Sequence, residues 1–230
     1  MPYEADTAMG GAQRRFPSTR RSLVAAAGGG GAVAREALDA VIAVYWKPLY
    51  KYIRVKWNRG NEEAKDLVQG FFAALLQQDL LAKFDPSVAS FRTYLRACAD
   101  RFVMKQDESA GRLKRGGGAE VIALDFDAAE RELALAGRAE SAEELFYREW
   151  QRQIFSLAID DLRDACAASG KARDFRIFEQ YDMAEGDRPR YEDLAREHAI
   201  PVTGVTNALA WARRELRRLV QMRSRASWGE

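Results

Sequence analysis

Along most of this chain apolar residues recur at three- and four-residue intervals, a period that fits helices and not strands. Leu38, Val41, Ile42 and Tyr45 share one helical face. Leu67, Val68, Phe71, Phe72 and Leu75 form a second, and Leu95, Cys98, Ala99, Phe102 and Val103 a third. A half-buried strand would need alternation at every second residue. No stretch shows it convincingly, and no internal repeat is visible. The expectation is an all-α protein.

Turn residues divide the pattern. A first helix is expected from Val33. Pro48 suits the first turn of a second, running to Trp57. Asn58-Arg-Gly-Asn61 reads as a turn, with Asn61 as N-cap of a third helix over 62–79. Pro86 restrains Asp85 away from helix, so Lys83–Ser90 is a defined loop. A fourth helix follows over 91–108. These helices make one small domain, 33–108. Gly116-Gly-Gly118 and scattered acids mark 109–141 as a flexible linker. A second helical domain is expected over 142–222, with helices at 142–168, 172–182, 191–198 and 202–222. Residues 1–32, rich in Gly, Ala, Arg and Ser, read as a mobile arm, and 223–230 as a tail.

Composition narrows the function classes. The 230 residues carry 36 basic and 34 acidic side chains, a net charge of only +2, yet the charges are segregated. Segregation points to separate faces for separate partners. Two cysteines, Cys98 and Cys166, and a single histidine, His198, cannot supply a zinc cluster at the usual spacings. No metal or other cofactor is expected, and no nucleophile set suggests an enzyme. No apolar run approaches the roughly 20 residues needed to span a bilayer. Arg20-Arg21 before Ser22-Leu-Val-Ala could pass for a twin-arginine signal, but Gly28 to Gly31 interrupt its apolar region. A cytoplasmic protein with reduced thiols is expected.

The clearest local motif is the last pair of helices. From Tyr191 to Leu216 the spacing is that of a helix-turn-helix. Ala195 sits where the helices cross, Ile200 plugs the turn, and Val205 and Leu209 bury the second helix. Thr203, Thr206, Asn207 and Ala210 then face outward, able to read base edges in a major groove. Arg213, Arg214, Arg217, Arg218, Arg223 and Arg225 follow, suited to phosphates. An ordinary helical hairpin with a solvated basic face is the plainer account of the same residues. Ala199 occupies the turn position where Gly is usual.

Two further helices carry opposite charge. Glu62, Glu63 and Asp66 lie at the acid-rich start of the third, with Gln69 and Ala73 on the same exposed face. A solvated face accounts for this equally well. The fourth carries Arg92, Arg96, Arg101 and Lys105 among Phe91, Tyr94 and Phe102. Aromatics beside a basic groove can stack unpaired bases. At helical spacing they also serve as core, and Phe91 and Phe102 are expected to be mostly that.

The order of these strings is more specific than any one of them. Glu63-Ala-Lys-Asp-Leu-Val-Gln-Gly-Phe-Phe, Phe84-Asp-Pro-Ser, Phe91-Arg-Thr-Tyr-Leu-Arg-Ala and Lys114-Arg-Gly-Gly-Gly118 together resemble region 2 of sigma-70 family factors. The likeness is to the small two-domain extracytoplasmic-function group, whose region 4 the terminal helix-turn-helix resembles. Thr19-Arg-Arg-Ser-Leu-Val24 is similar to the lead-in of one branch. The resemblance covers about residues 19–222.

What it implies is an alternative sigma factor that binds core RNA polymerase and directs promoter recognition, melting and initiation. Glu62, Glu63, Asp66, Gln69 and Ala73 would dock on the β′ clamp helices of the polymerase, whose β flap is a further implied contact. Lys83, Phe84, Asp85, Ser87 and Ser90 would form the pocket for a base flipped at the −10 element. Phe91, Arg92, Tyr94, Arg96, Arg101 and Lys105 would read and melt that element. Thr203, Thr206, Asn207, Ala210, Arg213, Arg214 and Arg217 would read the −35 element. Lys65 and Gly70 stand where the family often has acids, and Tyr94 where Trp is common. The family's usual controller is an anti-sigma factor; a regulatory kinase supplying negative charge near Lys65 is the alternative. The acidic linker would mimic nucleic acid in the polymerase channel. The competing reading is a stand-alone helix-turn-helix regulator that never touches polymerase.

Overall fold

The structure, a computed structural model, describes residues 32–78, 80–110, 124–135 and 141–227. The expectations for the N-terminal arm and for Lys114–Gly118 lie outside these residues. The described residues are helical, without strands. The helices are α1 (Ala32–Lys56), α2 (Asn61–Gln77), α3 (Phe91–Ala110), α4 (Phe126–Leu135), α5 (Ala142–Ala168), α6 (Ala172–Asp182), α7 (Tyr191–Glu197) and α8 (Val202–Ser227). None is long and apolar enough to cross a membrane.

Where two helices were expected before Trp57, there is one. α1 runs straight through Pro48. Proline there forfeits one backbone hydrogen bond. The residues around it offset that loss: Tyr45, Leu49, Tyr50, Tyr52 and Ile53 are all at most 1% exposed. Tertiary burial overrides the local preference to break.

The expected linker also contains an element. Asp125 caps α4 by accepting the Ala128 amide at 3.0 Å. Phe126 and Ala129 are buried against α1. Residues 126–135 are therefore a docked helix and not flexible chain. Sequence-distant acid–base pairs, described below, hold it there.

Ser141 and Glu144 form a reciprocal capping box that starts α5. This helix belongs to two cores at once. Ala142, Phe146, Trp150 and Ile154 pack with α1–α4. Ala158, Ile159, Leu162 and Cys166 pack with α6, α7 and α8. The expected boundary at 142 therefore does not coincide with a boundary between cores. The first of them is aromatic: Phe146 lies 6.4 Å from Tyr45 and 5.8 Å from Tyr52, ring centre to ring centre.

A fully buried ion pair crosses the α1–α5 contact. Lys51 Nζ lies 2.7 Å from Glu149 Oε2, and both side chains are 1% exposed. Glu132 of α4 adds a second carboxylate to Lys51 at 2.8 Å. Such a pair adds little net stability but penalises any rearrangement that separates its partners without water. It fixes the register of α1 against α5.

Candidate nucleic-acid interface

The last two helices are built as their sequence implied. Leu194 and Ala195 of α7 are buried, as are Val205, Ala208, Leu209 and Ala212 of α8. Between them the chain turns within four residues. The Ile200 amide donates to the Ala195 carbonyl at 3.0 Å, and the Ala199 amide to the Arg196 carbonyl at 3.3 Å. This is a Schellman ending, which requires a left-handed residue at its centre. Ala199 supplies it, with φ at 51°. The same pair of hydrogen bonds ends α5, where Gly170 holds the position with φ at 71°. Gly204 then brings α8 close to the turn. A Cβ there would meet Ile200 side-chain atoms at 3.3 Å.

With that face buried, Thr203, Thr206, Asn207, Ala210, Arg214 and Arg217 are all exposed. They recur at three- and four-residue steps, so they form one outward stripe along α8. The Thr206 hydroxyl donates back to the Val202 carbonyl at 3.1 Å. Arg214 and Arg217 make no ion pair among the described residues, leaving both guanidinium groups free for phosphate.

Arg213 departs from the expectation. Its Nε and Nη2 donate to the two Asp182 oxygens at 2.7 and 2.8 Å, and its guanidinium lies 5.7 Å from the Tyr181 ring. The Asp182 hydrogen bond, followed by its charge, pushes the guanidinium further above its already high ordinary value. This side chain braces α8 on α6 and does not join the stripe. Arg218 is likewise held by Glu215 at 2.6 Å. Arg223 is buried with Asp161, its Nη2 2.6 Å from Oδ1. Residues 223–227 are therefore the last turns of α8 and not a tail.

On the first bundle, Glu62, Glu63 and Asp66 of α2 are exposed, while Gln69 and Ala73 are half-buried. Their charges are partly answered. Lys65 lies 2.9 Å from Glu62 and 3.4 Å from Asp127 of α4. Arg59 lies 2.7 Å from Glu63. Gly70 is accounted for by packing: a Cβ there would stand 3.2 Å from the Phe102 ring.

The loop before α3 is pre-shaped. Asp85 Oδ1 accepts the Ser87 hydroxyl at 2.7 Å and its amide at 2.8 Å, which hold the carboxyl below its usual value. Ser90 and Thr93 hydroxyls share a hydrogen bond at 2.9 Å. Lys83, Asp85 and Ser87 are exposed. Phe84 packs into the bundle, 5.1 Å from Phe91 and 5.4 Å from Tyr94.

The basic helix does not present one open face. Phe91 is buried, as expected. The Tyr94 hydroxyl donates to the Leu80 carbonyl at 2.6 Å and its ring is half-buried, so it braces the loop. Arg92 lies over the Tyr147 and Trp150 rings at 5.1 and 5.6 Å, and Arg96 over Tyr52 and Phe146 at 5.8 and 5.9 Å. Both arginines are turned onto the first half of α5, because its aromatic rings offer a face that a guanidinium favours. Arg101 and Lys105 remain exposed.

The acids that hold several of the bases were not legible locally. Asp182 pairs with Arg213, Asp161 with Arg223 and Glu130 with Arg54, each far along the chain from its partner, where no local period reports it. For α4 there was one signal, Asp125 before an apolar residue and a helix-forming run, obscured by the Gly-rich stretch upstream.

Among the described residues no cluster of three or more His, Cys, Asp or Glu side chains is placed to hold a metal ion. Comparison of the chain with protein-family models, with curated proteins and with solved structures finds no match.

Proposed function

We propose that this chain is a non-catalytic, cytoplasmic alternative sigma factor. It binds core RNA polymerase through the α2 face, and reads promoter DNA with the α3 region and with α8. The observation that carries the reading is the stripe Thr203, Thr206, Asn207, Ala210, Arg214 and Arg217, outward on a helix whose other face is buried. Hydroxyl, amide and methyl groups lie at its start, and free guanidinium groups follow. That order suits base edges in a major groove with phosphates beside them. The exposed Glu62, Glu63 and Asp66 on a separate bundle suit a second, basic protein partner. Joined through α5, the two surfaces would act as a bivalent reader once polymerase is bound.

One observation favours the stand-alone regulator instead. Arg92 and Arg96 face α5 in this conformation, so among the described residues α8 offers the readier DNA surface. In vitro transcription separates the readings. Purified protein is added to core polymerase and genomic DNA, and transcript starts are mapped. Discrete new starts that vanish with Asn207→Ala plus Arg214→Ala are expected. No retention of core polymerase at low salt, with duplex DNA still bound, would leave the regulator reading in possession.

A further inference from the structure

α4 is attached to the rest of the molecule in an unusual way. Among its described side chains, Phe126 and Ala129 are buried in the first core. Its acids make charged and hydrogen-bonded contacts beside them. Glu132 lies 2.9 Å from Lys47 and 2.8 Å from Lys51. Glu130 pairs with Arg54 and accepts the Tyr50 hydroxyl at 2.6 Å. Asp127 reaches Lys65 at 3.4 Å. One short helix thus lays three carboxylates over four cations of α1 and α2. Phe126 meanwhile sets its ring edge-on against Trp46 at 5.5 Å and lies 5.2 Å from Tyr50. Lys47 sits beside the same indole, 5.9 Å from its centre.

Cations flanking two aromatic rings are what a single nucleic-acid strand requires, phosphates on the former and bases on the latter. We infer that Trp46, Lys47, Tyr50, Lys51, Arg54 and Lys65 form a binding site for single-stranded nucleic acid, and that α4 is a displaceable cover on it. The carboxylates occupy phosphate positions and the Phe126 ring the position of a base. The inference rests on the nucleic-acid reading above and adds to it a surface on α1, which that reading leaves unused.

Displacement is feasible because much of the cover is ionic and its acids reach solvent. Glu130 and Glu132 are 30% and 42% exposed. Ion pairs of this kind exchange one anion for another at low cost. Lys51 keeps Glu149 as its counter-ion when α4 leaves. Phe126 and Ala129 leave the first core when it does, while Phe146, Trp150 and Ile154 stay packed on α1.

The test measures anisotropy of a labelled oligo-dT of about twenty nucleotides, together with amide exchange of residues 126–135, in the full chain without polymerase. Glu130→Gln with Glu132→Gln is expected to speed exchange across α4 and tighten oligo-dT at least about tenfold, the reciprocal of the uncovered fraction. Adding Lys47→Ala and Lys65→Ala is expected to remove the gain. Should α4 stay protected, Phe126→Ala is added to release its apolar anchor, and the same comparison is made. Protection that survives even this overturns the inference. So does faster exchange with unchanged affinity, or a gain that persists without the two lysines. Because neither promoter nor polymerase is present, a chain that never starts transcription can still pass, and a working sigma factor can still fail.

Discussion

Ala199 spends its φ of 51° where Gly170 spends 71°, in two helix endings with the same hydrogen bonds. A Cβ in the left-handed region costs roughly 1 kcal/mol that glycine avoids. Ala199→Gly is therefore expected to raise stability by about 0.5–1 kcal/mol, seen as a melting temperature higher by about 1–4 °C. A lower melting temperature would mean that the turn is not the strained point. The arginines of α8 divide by the same kind of bookkeeping. Arg213→Ala loses a two-toothed bond to Asp182 that is partly exposed, so about 1 kcal/mol is expected after solvent screening. Arg214→Ala and Arg217→Ala should leave the melt within about 0.5 kcal/mol. Each should instead lower affinity for duplex DNA and reduce its salt slope by about one. A thermal melt and a salt titration on each variant read both. The burial of Val205 and Leu209 was legible because they stand four apart. The fate of Arg213 was not, since Asp182 lies 31 residues away.

At the scale of the helix, α4 is the element most exposed to acid. The Arg54 hydrogen bond, against some burial, holds Glu130 below the ordinary 4.5. Burial alone would raise Glu132, but Lys51 and Lys47 outweigh it and its pKa also falls. A carboxylate lowered in the folded state stabilises fully above its unfolded value and loses that contribution as pH falls through its folded one. The docking of α4 is therefore expected to be complete above about pH 5 and to fail progressively below the ordinary carboxylate value. Near-UV circular dichroism, sensitive to the Trp46–Phe126 contact, would follow it, and a signal flat from neutrality to about pH 3 would contradict it. Elements with a long apolar stripe, such as α2, α3 and α5, were legible in the sequence. α4 was not, because its attachment lies in charges whose partners are on α1 and α2. Pro48 misled for the opposite reason: it is a strong local signal, overruled by the burial of Tyr45, Leu49, Tyr50 and Ile53 around it.

For the molecule as a whole, helices and a terminal helix-turn-helix were legible from periodicity, but the relation between the two cores is tertiary. Nothing in the period of α5 reveals that Phe146 and Trp150 serve one core while Leu162 and Cys166 serve the other. The sharing makes the halves unequal. A chain severed between Leu135 and Ser141 would keep α5 with its own partners α6, α7 and α8. The other piece would lose Phe146, Trp150 and Ile154 from its interior and, expressed alone, should be insoluble or molten. Supplied together, the two pieces have a ready-made socket and plug, with Lys51 and Glu149 to set the fit. Co-purification of an untagged N-terminal piece with a tagged C-terminal one is the expected result. The same helix that joins the molecule thereby makes it a natural candidate for splitting into a pair of fragments that report on each other's presence.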